Sequence, residues 1–237
     1  MDNKEFWNNR VRKYGHTGWS DSVIYAYDQI ARMKTIQKII KSLEVKKETT
    51  LDFGTGSGDF ASLLAGKFKK VLAFDISKEA INIAKNKYRH IQNIDFIQRD
   101  SVLDLKIDDN SLDLILSVTV LGHIKDSGEL INTITYFKNK LHHDGCIIVF
   151  EHSPDSEKNR DSDYQRFSTF DEWLSIFSKC GFRLQNYYGF YDPIESPCKS
   201  YQLYRQNIKV KFLKYFKNYL CHCSKITCLF ITNIFSL

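Results

Sequence analysis

Residues 51–60 read LDFGTGSGDF: a short apolar stretch reaches Asp52, and Gly54, Gly56 and Gly58 follow at every second position. Glycines this dense let the backbone enter positive φ and let a ligand approach the main chain closely. Phe60, Ala61, Leu63, Leu64 and Ala65 then follow as the start of a helix. A glycine turn between a strand and a helix is a nucleotide cradle. The next apolar run, KVLAFD, ends in Asp75, 17 residues after Gly58. An acid at a second strand end can accept hydrogen bonds from both hydroxyls of a ribose.

The glycine spacing narrows the ligand. A dinucleotide turn reads G-x-G-x-x-G, so that a pyrophosphate rests on the helix N-terminus. Counted from Gly54, the last glycine position is held by Asp59, an acid that would repel a pyrophosphate. Asp52, just before the turn, suits a ligand carrying an ammonium. A ribonucleoside with a cationic amino-acid end meets these conditions, which points to S-adenosylmethionine.

Such residues need a sheet to hold them. Apolar spacing predicts a helix over 21–43, capped by Ser20 or Asp21, with Ile24, Tyr27, Ile30, Ile36, Ile39, Ile40 and Leu43 on its apolar face. Strands and helices then alternate: strand 49–53, helix 59–67, strand 70–75, helix 78–88 opened by Ser77, strands 95–100 and 112–118. A helix over 127–141, a buried strand over 145–152 and a helix over 170–182 with Gly181 at its end follow. RLQNYYGF and SYQLYRQ read as a closing hairpin. Repeated strand–helix–strand units imply a mainly parallel sheet covered on both faces, with the ligand at the carboxyl ends of the strands.

Four segments, D-x-G-x-G-x-G at 52–58, AFDIS at 73–77, FIQRDS at 96–101 and SVTVLGHI at 117–124, resemble the successive motifs of class I S-adenosylmethionine-dependent methyltransferases. The resemblance runs from about 48 to 204. It implies an α/β, doubly wound, seven-stranded Rossmann-like sheet with an antiparallel last strand. By that resemblance Gly54, Thr55, Gly56 and Gly58 lie beneath the methionine part, and Asp75 with Ile76 holds the ribose. Asp100, with Ser101 and Val102, faces the adenine, and Ser117 and Val118 line the methyl side. A fold of this kind says little about the acceptor.

The amino-terminal stretch, FWNNRVRKYGHTGWSDSVIYAYD, is rich in aromatic residues and precedes the first core strand. Residues 1–47 read as a helical lid whose Tyr14, His16 and Trp19 border the methyl group, where aromatic rings favour a sulfonium. The stretch resembles small-molecule methyltransferases of sugar and surface-polysaccharide biosynthesis. Methyl transfer from a sulfonium needs mainly proximity and alignment, and an oxygen or nitrogen acceptor gains from a nearby base. His123 and His152 fall at strand ends on the expected cleft edge and are the candidate bases. Tyr164 and Arg166, in the polar insertion 154–169, could contact an acceptor. There is no H-E-x-x-H and no ordered carboxylate cluster, so no metal is expected.

Net charge is +6, yet no Asp or Glu follows Glu195, and seven Lys or Arg residues do. Subtracting those seven from +6 leaves residues 1–195 at −1, so the body is almost neutral; 48–204 reads as the catalytic domain and 205–237 as a basic tail, an amphipathic helix suited to a membrane surface or a partner. A neutral body argues against tracking a nucleic-acid backbone. SVTV stands where an N/D-P-P-Y/F signature would mark methylation of bases or glutamine. Scattered cysteines and the polar start are consistent with a reducing, cytoplasmic protein. The alternatives are an RNA methyltransferase and a non-catalytic protein that binds S-adenosylmethionine; oligomeric state is left open.

Overall fold

The computed structural model describes residues 2–18, 20–153, 161–162, 164–189 and 226–233. Two helices, α1 (Asn3–Tyr14) and α2 (Ser22–Ser42), precede the sheet. Of the two expected caps, Asp21 is the one used: its side chain accepts from the Val23 and Ile24 N–H groups. Then come β1 (Thr49–Phe53), α3 (Asp59–Ala65), β2 (Lys70–Asp75), α4 (Lys78–Lys87), β3 (Ile94–Gln98) and β4 (Leu112–Val118). Ser77 caps α4 by accepting from Ala80 N. After α5 (Ser127–Lys140) and β5 (Leu141–His152), two short strands, β6 (Asp161–Ser162) and β7 (Gln165–Arg166), pair with each other. The helix α6 (Phe170–Lys179), opened by a Thr169–Glu172 capping box, and β8 (Phe182–Gly189) lead to β9 (Ile226–Asn233).

The main sheet has the order β3-β2-β1-β4-β5-β9-β8. Strands β1 to β5 are parallel, and β9 is antiparallel to both β5 and β8. The strand order reverses between β1 and β4, so their carboxyl ends open a crevice. Every residue of β4 is buried, as a central strand covered on both faces requires. One core lies under α2 and α3, with Ile36, Ile40, Leu64, Leu116, Ile148 and Phe150. The other lies under α5 and α6, with Leu51, Ile115, Phe137, Val149, Trp173 and Phe177.

Two sequence expectations change here. Residues 226–233, expected as part of the helical tail, form β9. Their run, ITCLFITN, is uncharged and rich in β-branched residues, which suits an inner strand better than a basic helix. SYQLYRQ and the rest of the tail to residue 225 lie outside the described residues. In α2 the inward face is Ile24, Asp28, Arg32, Ile36, Ile39 and Ile40, whereas Tyr27 and Ile30 are exposed. The buried stripe thus carries two charges where the helix passes the crevice. Among the described residues, no helix is long and apolar enough to cross a membrane.

Candidate functional site

The crevice is a cavity of about 570 Å³ along the carboxyl edge of the sheet. It starts at the end of β3, with Asp100, Ser101 and Val102, and passes Asp75 and Ile76 at the end of β2. It crosses the turn after β1, with Gly54, Thr55 and Gly56, and reaches Val118 to Val120 after β4. Beyond lie His123, His152, Tyr164, Gln165 and Thr133, and α1 and α2 close the outer side through residues that include Trp7, Arg10, Gln29 and Arg32.

The turn is tight because it is pinned. Gly54 N and Thr55 N both donate to the Phe74 carbonyl, at 2.9 and 2.8 Å. Gly54, Gly56 and Gly58 have φ of 74°, 54° and 83°, a region that costs other residues about 1–2 kcal/mol. A Cβ on Gly54 would stand 2.3 Å from a methyl of Val120. Asp75 is buried, and its oxygens accept from Gly56 N and Ser77 N, each at 2.8 Å. A carboxylate has about four acceptor sites, so these donors do not exhaust it. Burial pushes this carboxyl up to about 6, against the backbone donors that lower it.

A ribonucleoside fits this wall. Asp75 can take a diol, the glycine turn allows close approach, and the cavity continues to both sides, toward an adenine seat at β3 and toward β4. Ser101 caps a turn of 3₁₀ helix over Val102–Asp104. Asp100 is exposed and bonded at 2.6 Å to Lys4 of α1, which holds its carboxyl below the usual range.

Three of the expected cofactor residues sit behind the wall. Asp52 is buried, with Oδ2 lacking any partner, and burial pushes it up to about 7. It supports the turn from below and is not among the residues that line the cavity. Ser117 is likewise buried with an unpaired hydroxyl. Gly58 is needed for close packing: a Cβ there would meet Ala84 and Tyr88 at 3.0 Å. Asp59, expected to repel a pyrophosphate, also lies off the wall. Lys87 Nζ and the Tyr88 hydroxyl both donate to its Oδ1 at 2.6 Å, and these contacts offset its charge and lower its pKa against burial.

The lid residues divide. Tyr14, His16 and Arg166 are not on the cavity wall, Tyr164 is, and Trp19 is outside the described residues. His16 is buried and stacks on Tyr25 at 3.8 Å, with both ring nitrogens unpaired. Burial, then the nearby Arg10, lowers its pKa. Arg166 donates to the Ser127 hydroxyl at 2.6 Å. What sequence reasoning missed is in α1 and α2. Lys4, Asn8 and Arg12 of α1 bond to Asp100, Ser77 and Glu79, and Asn3 bonds to the His123 carbonyl. Arg10 clasps the Thr17 and Gly18 carbonyls. Arg32 pairs with Asp28 at 2.8 Å and donates to Thr119 Oγ1 at 3.2 Å. The break in apolar spacing at Asp28 and Arg32 was the available signal.

Both candidate histidines line the cavity. His123 Nδ1 is 3.0 Å from the Tyr164 carbonyl, and its ring packs against Trp7 at 4.7 Å and Tyr164 at 5.9 Å. Burial lowers its pKa. Burial, then Arg32, takes His152 down to about 4. Glu151, beside it, is fully buried. Its Oε1 accepts from Val120 N and Leu121 N at 2.7 Å each, fixing the loop after β4, and burial raises it to about 7.

Residues 50–145 match the model of a methyltransferase domain. The match supports a methyltransferase domain over that segment, with S-adenosylmethionine as its cofactor. The chain is 26% identical over 176 residues to the putative methyltransferase YqeM of Bacillus subtilis, covering 68% of this chain and 71% of that one. It is 37% identical over 76 residues to the ribosomal RNA small subunit methyltransferase A of Mycoplasmopsis synoviae, a match covering 32% of this chain and only 28% of the relative. Phosphoethanolamine N-methyltransferase 1 of Haemonchus contortus, solved with phosphoethanolamine and S-adenosylhomocysteine, superposes with a TM-score of 0.67 at 16% identity. That match covers 99% of this chain and 49% of that one, and shows a shared fold.

Proposed function

We propose that the chain is an S-adenosylmethionine-dependent methyltransferase acting on an oxygen of a small polar acceptor, saccharides among them, in a biosynthetic pathway such as that of cell-surface polysaccharide. The observation that carries this reading is the continuity of one cavity, from Asp75 across the glycine turn to a polar chamber holding His123 and His152. Asp75 takes the ribose diol, Gly54 to Gly56 lie under the amino-acid arm, and Asp100 to Val102 frame the adenine. Asp52, Gly58 and Ser117 shape the turn from behind. Bound S-adenosylmethionine supplies a methyl group already activated on a sulfonium. The chain's part is to align an acceptor, exclude water and receive a proton. Residues 1–47 serve as the lid: four side chains of α1 tie it across the crevice mouth. The basic run 205–225 would bring the enzyme to an anionic membrane surface or a partner.

A second reading, methylation of RNA, has one observation in its favour, the match to a ribosomal RNA methyltransferase. Against it stand the near-neutral body and the helix tied over the cleft. Incubation with labelled S-adenosylmethionine and, separately, a small-molecule extract or total RNA decides between them. Label in the small-molecule fraction alone supports the first reading, and label in RNA alone rejects it. Binding of S-adenosylhomocysteine with label in neither would make the chain a cofactor-binding protein without this activity.

A further inference from the structure

We infer that His123 is the catalytic base, that the Tyr164 carbonyl fixes its proton on Nδ1 so that Nε2 presents a lone pair to the acceptor, and that the acceptor group is a hydroxyl and not an ammonium. This rests on the methyltransferase reading.

A carbonyl oxygen only accepts hydrogen bonds. The 3.0 Å contact between His123 Nδ1 and the Tyr164 carbonyl therefore requires the proton on Nδ1. In a neutral ring this leaves Nε2 unprotonated. Among the described residues no group bonds to Nε2, and the residue lines the cavity. The ring cannot turn freely, because the edge-on Trp7 at 4.7 Å and the stacked Tyr164 at 5.9 Å hold it. Position agrees with this role. His123 follows β4, next to the loop that Glu151 fixes, on the far side of the glycine turn from the ribose seat. His152 shares the chamber, but nothing among the described residues fixes its tautomer.

The titratable groups facing His123 are Arg10 of α1, His152 of β5 and Tyr164. Burial, with the Arg10 charge, outweighs the Tyr164 carbonyl that favours the imidazolium, so the ring is neutral near pH 7. A base of this strength will not strip an ammonium ahead of reaction. It can take a proton from a hydroxyl as that oxygen becomes a nucleophile. As the acceptor oxygen bonds to the methyl carbon, the C–S electron pair stays with sulfur and the sulfonium becomes a thioether. The O–H proton passes to Nε2, leaving an imidazolium that returns it to solvent. Tyr164 thereby becomes a positioning residue through its backbone.

The test uses the full chain labelled with ¹⁵N-histidine, with His123 assigned by its loss in His123→Asn. Long-range ¹H–¹⁵N correlation at pH 7.5 is expected to show Nδ1 protonated and Nε2 bare; a proton on Nε2 overturns the inference. His123→Asn keeps a donor for the Tyr164 carbonyl and has no basic nitrogen. It should bind S-adenosylhomocysteine within about twofold of wild type and lower incorporation of labelled methyl into the small-molecule extract by about 10²-fold or more. The acid limb of the wild-type profile, falling below pH 6.5, should vanish in the variant. Incorporation within threefold of wild type, or label found on nitrogen, defeats the proposal. Wild-type protein that labels nothing refutes the methyltransferase reading instead, while the tautomer is still read directly.

Discussion

Asp28 and Arg32 form a 2.8 Å ion pair on the buried face of α2, with side chains 3% and 8% exposed. Arg32 reaches on to Thr119, a β-branched residue held at φ 53° where the chain leaves β4. Such strain in a non-glycine residue costs about 1–3 kcal/mol and persists only where surrounding contacts enforce it. The pair therefore links the helix over the cavity to the loop beneath it. Breaking a buried pair by removing one partner strands the other charge. Arg32→Met should lose about 3–5 kcal/mol in denaturant unfolding, and Asp28→Leu/Arg32→Met should regain most of it. A double variant as unstable as the single one would show that the charge pairing is not what matters.

Asp75→Ala should weaken S-adenosylhomocysteine at least tenfold in calorimetry, a loss of about 1.4 kcal/mol, with NAD as a control that does not bind. Because the diol needs an acceptor, wild-type affinity should fall as pH drops through about 6, where Asp75 gains its proton. Asp75→Asn should be weak and nearly flat over the same range. Undiminished binding by Asp75→Ala would remove the ribose assignment.

Asp52 is buried and its folded pKa is raised to about 7. A raised folded pKa means that the native state holds the proton more tightly than the unfolded chain. Stability from this group is therefore full below its unfolded value and is lost as pH rises from about 4 through about 7. Asn cannot ionise. Asp52→Asn should raise the Tm at pH 8 and change it little at pH 4, a stability difference on the order of 4 kcal/mol. Equal Tm changes at the two pH values would contradict this.

Gly54→Ala meets two obstacles: a φ of 74° and the Val120 methyl at 2.3 Å. It should lower the Tm and cost S-adenosylhomocysteine affinity. Val120→Ala in the same chain should relieve the clash but leave the φ penalty of about 1–2 kcal/mol. Full rescue by the second change would mean that backbone conformation is not limiting at this turn.

The alternation of strands and helices was legible because each element is long and periodic, and its caps are local. Ser77 and Asp21 are the residues that cap α4 and α2. The turn with Asp75 was legible for the same reason: glycine spacing and a strand-end acid lie within about one strand–helix–strand unit. The direction of a side chain was harder to read. Asp52 sits one strand residue from the wall, and a period of two sends it behind the turn. Asp59, at the position where a pyrophosphate would need glycine, is held through one oxygen by Lys87 and Tyr88 and through the other by Tyr25 and Ser57, partners that no local pattern announces.

The parallel sheet, the glycine turn and the acidic seat beside it are legible in the chain alone, since these depend on residues that are neighbours along it. The other side of the cavity depends on packing between distant segments. Asn3 meets His123 across 120 residues, Arg32 meets Thr119 across 87, and His123 meets the Tyr164 carbonyl across 41. No local pattern encodes such pairs. They arise when helices that pack on a sheet for apolar reasons bring their few polar groups to its carboxyl edge, where most buried donors and acceptors pair with whatever the fold places beside them.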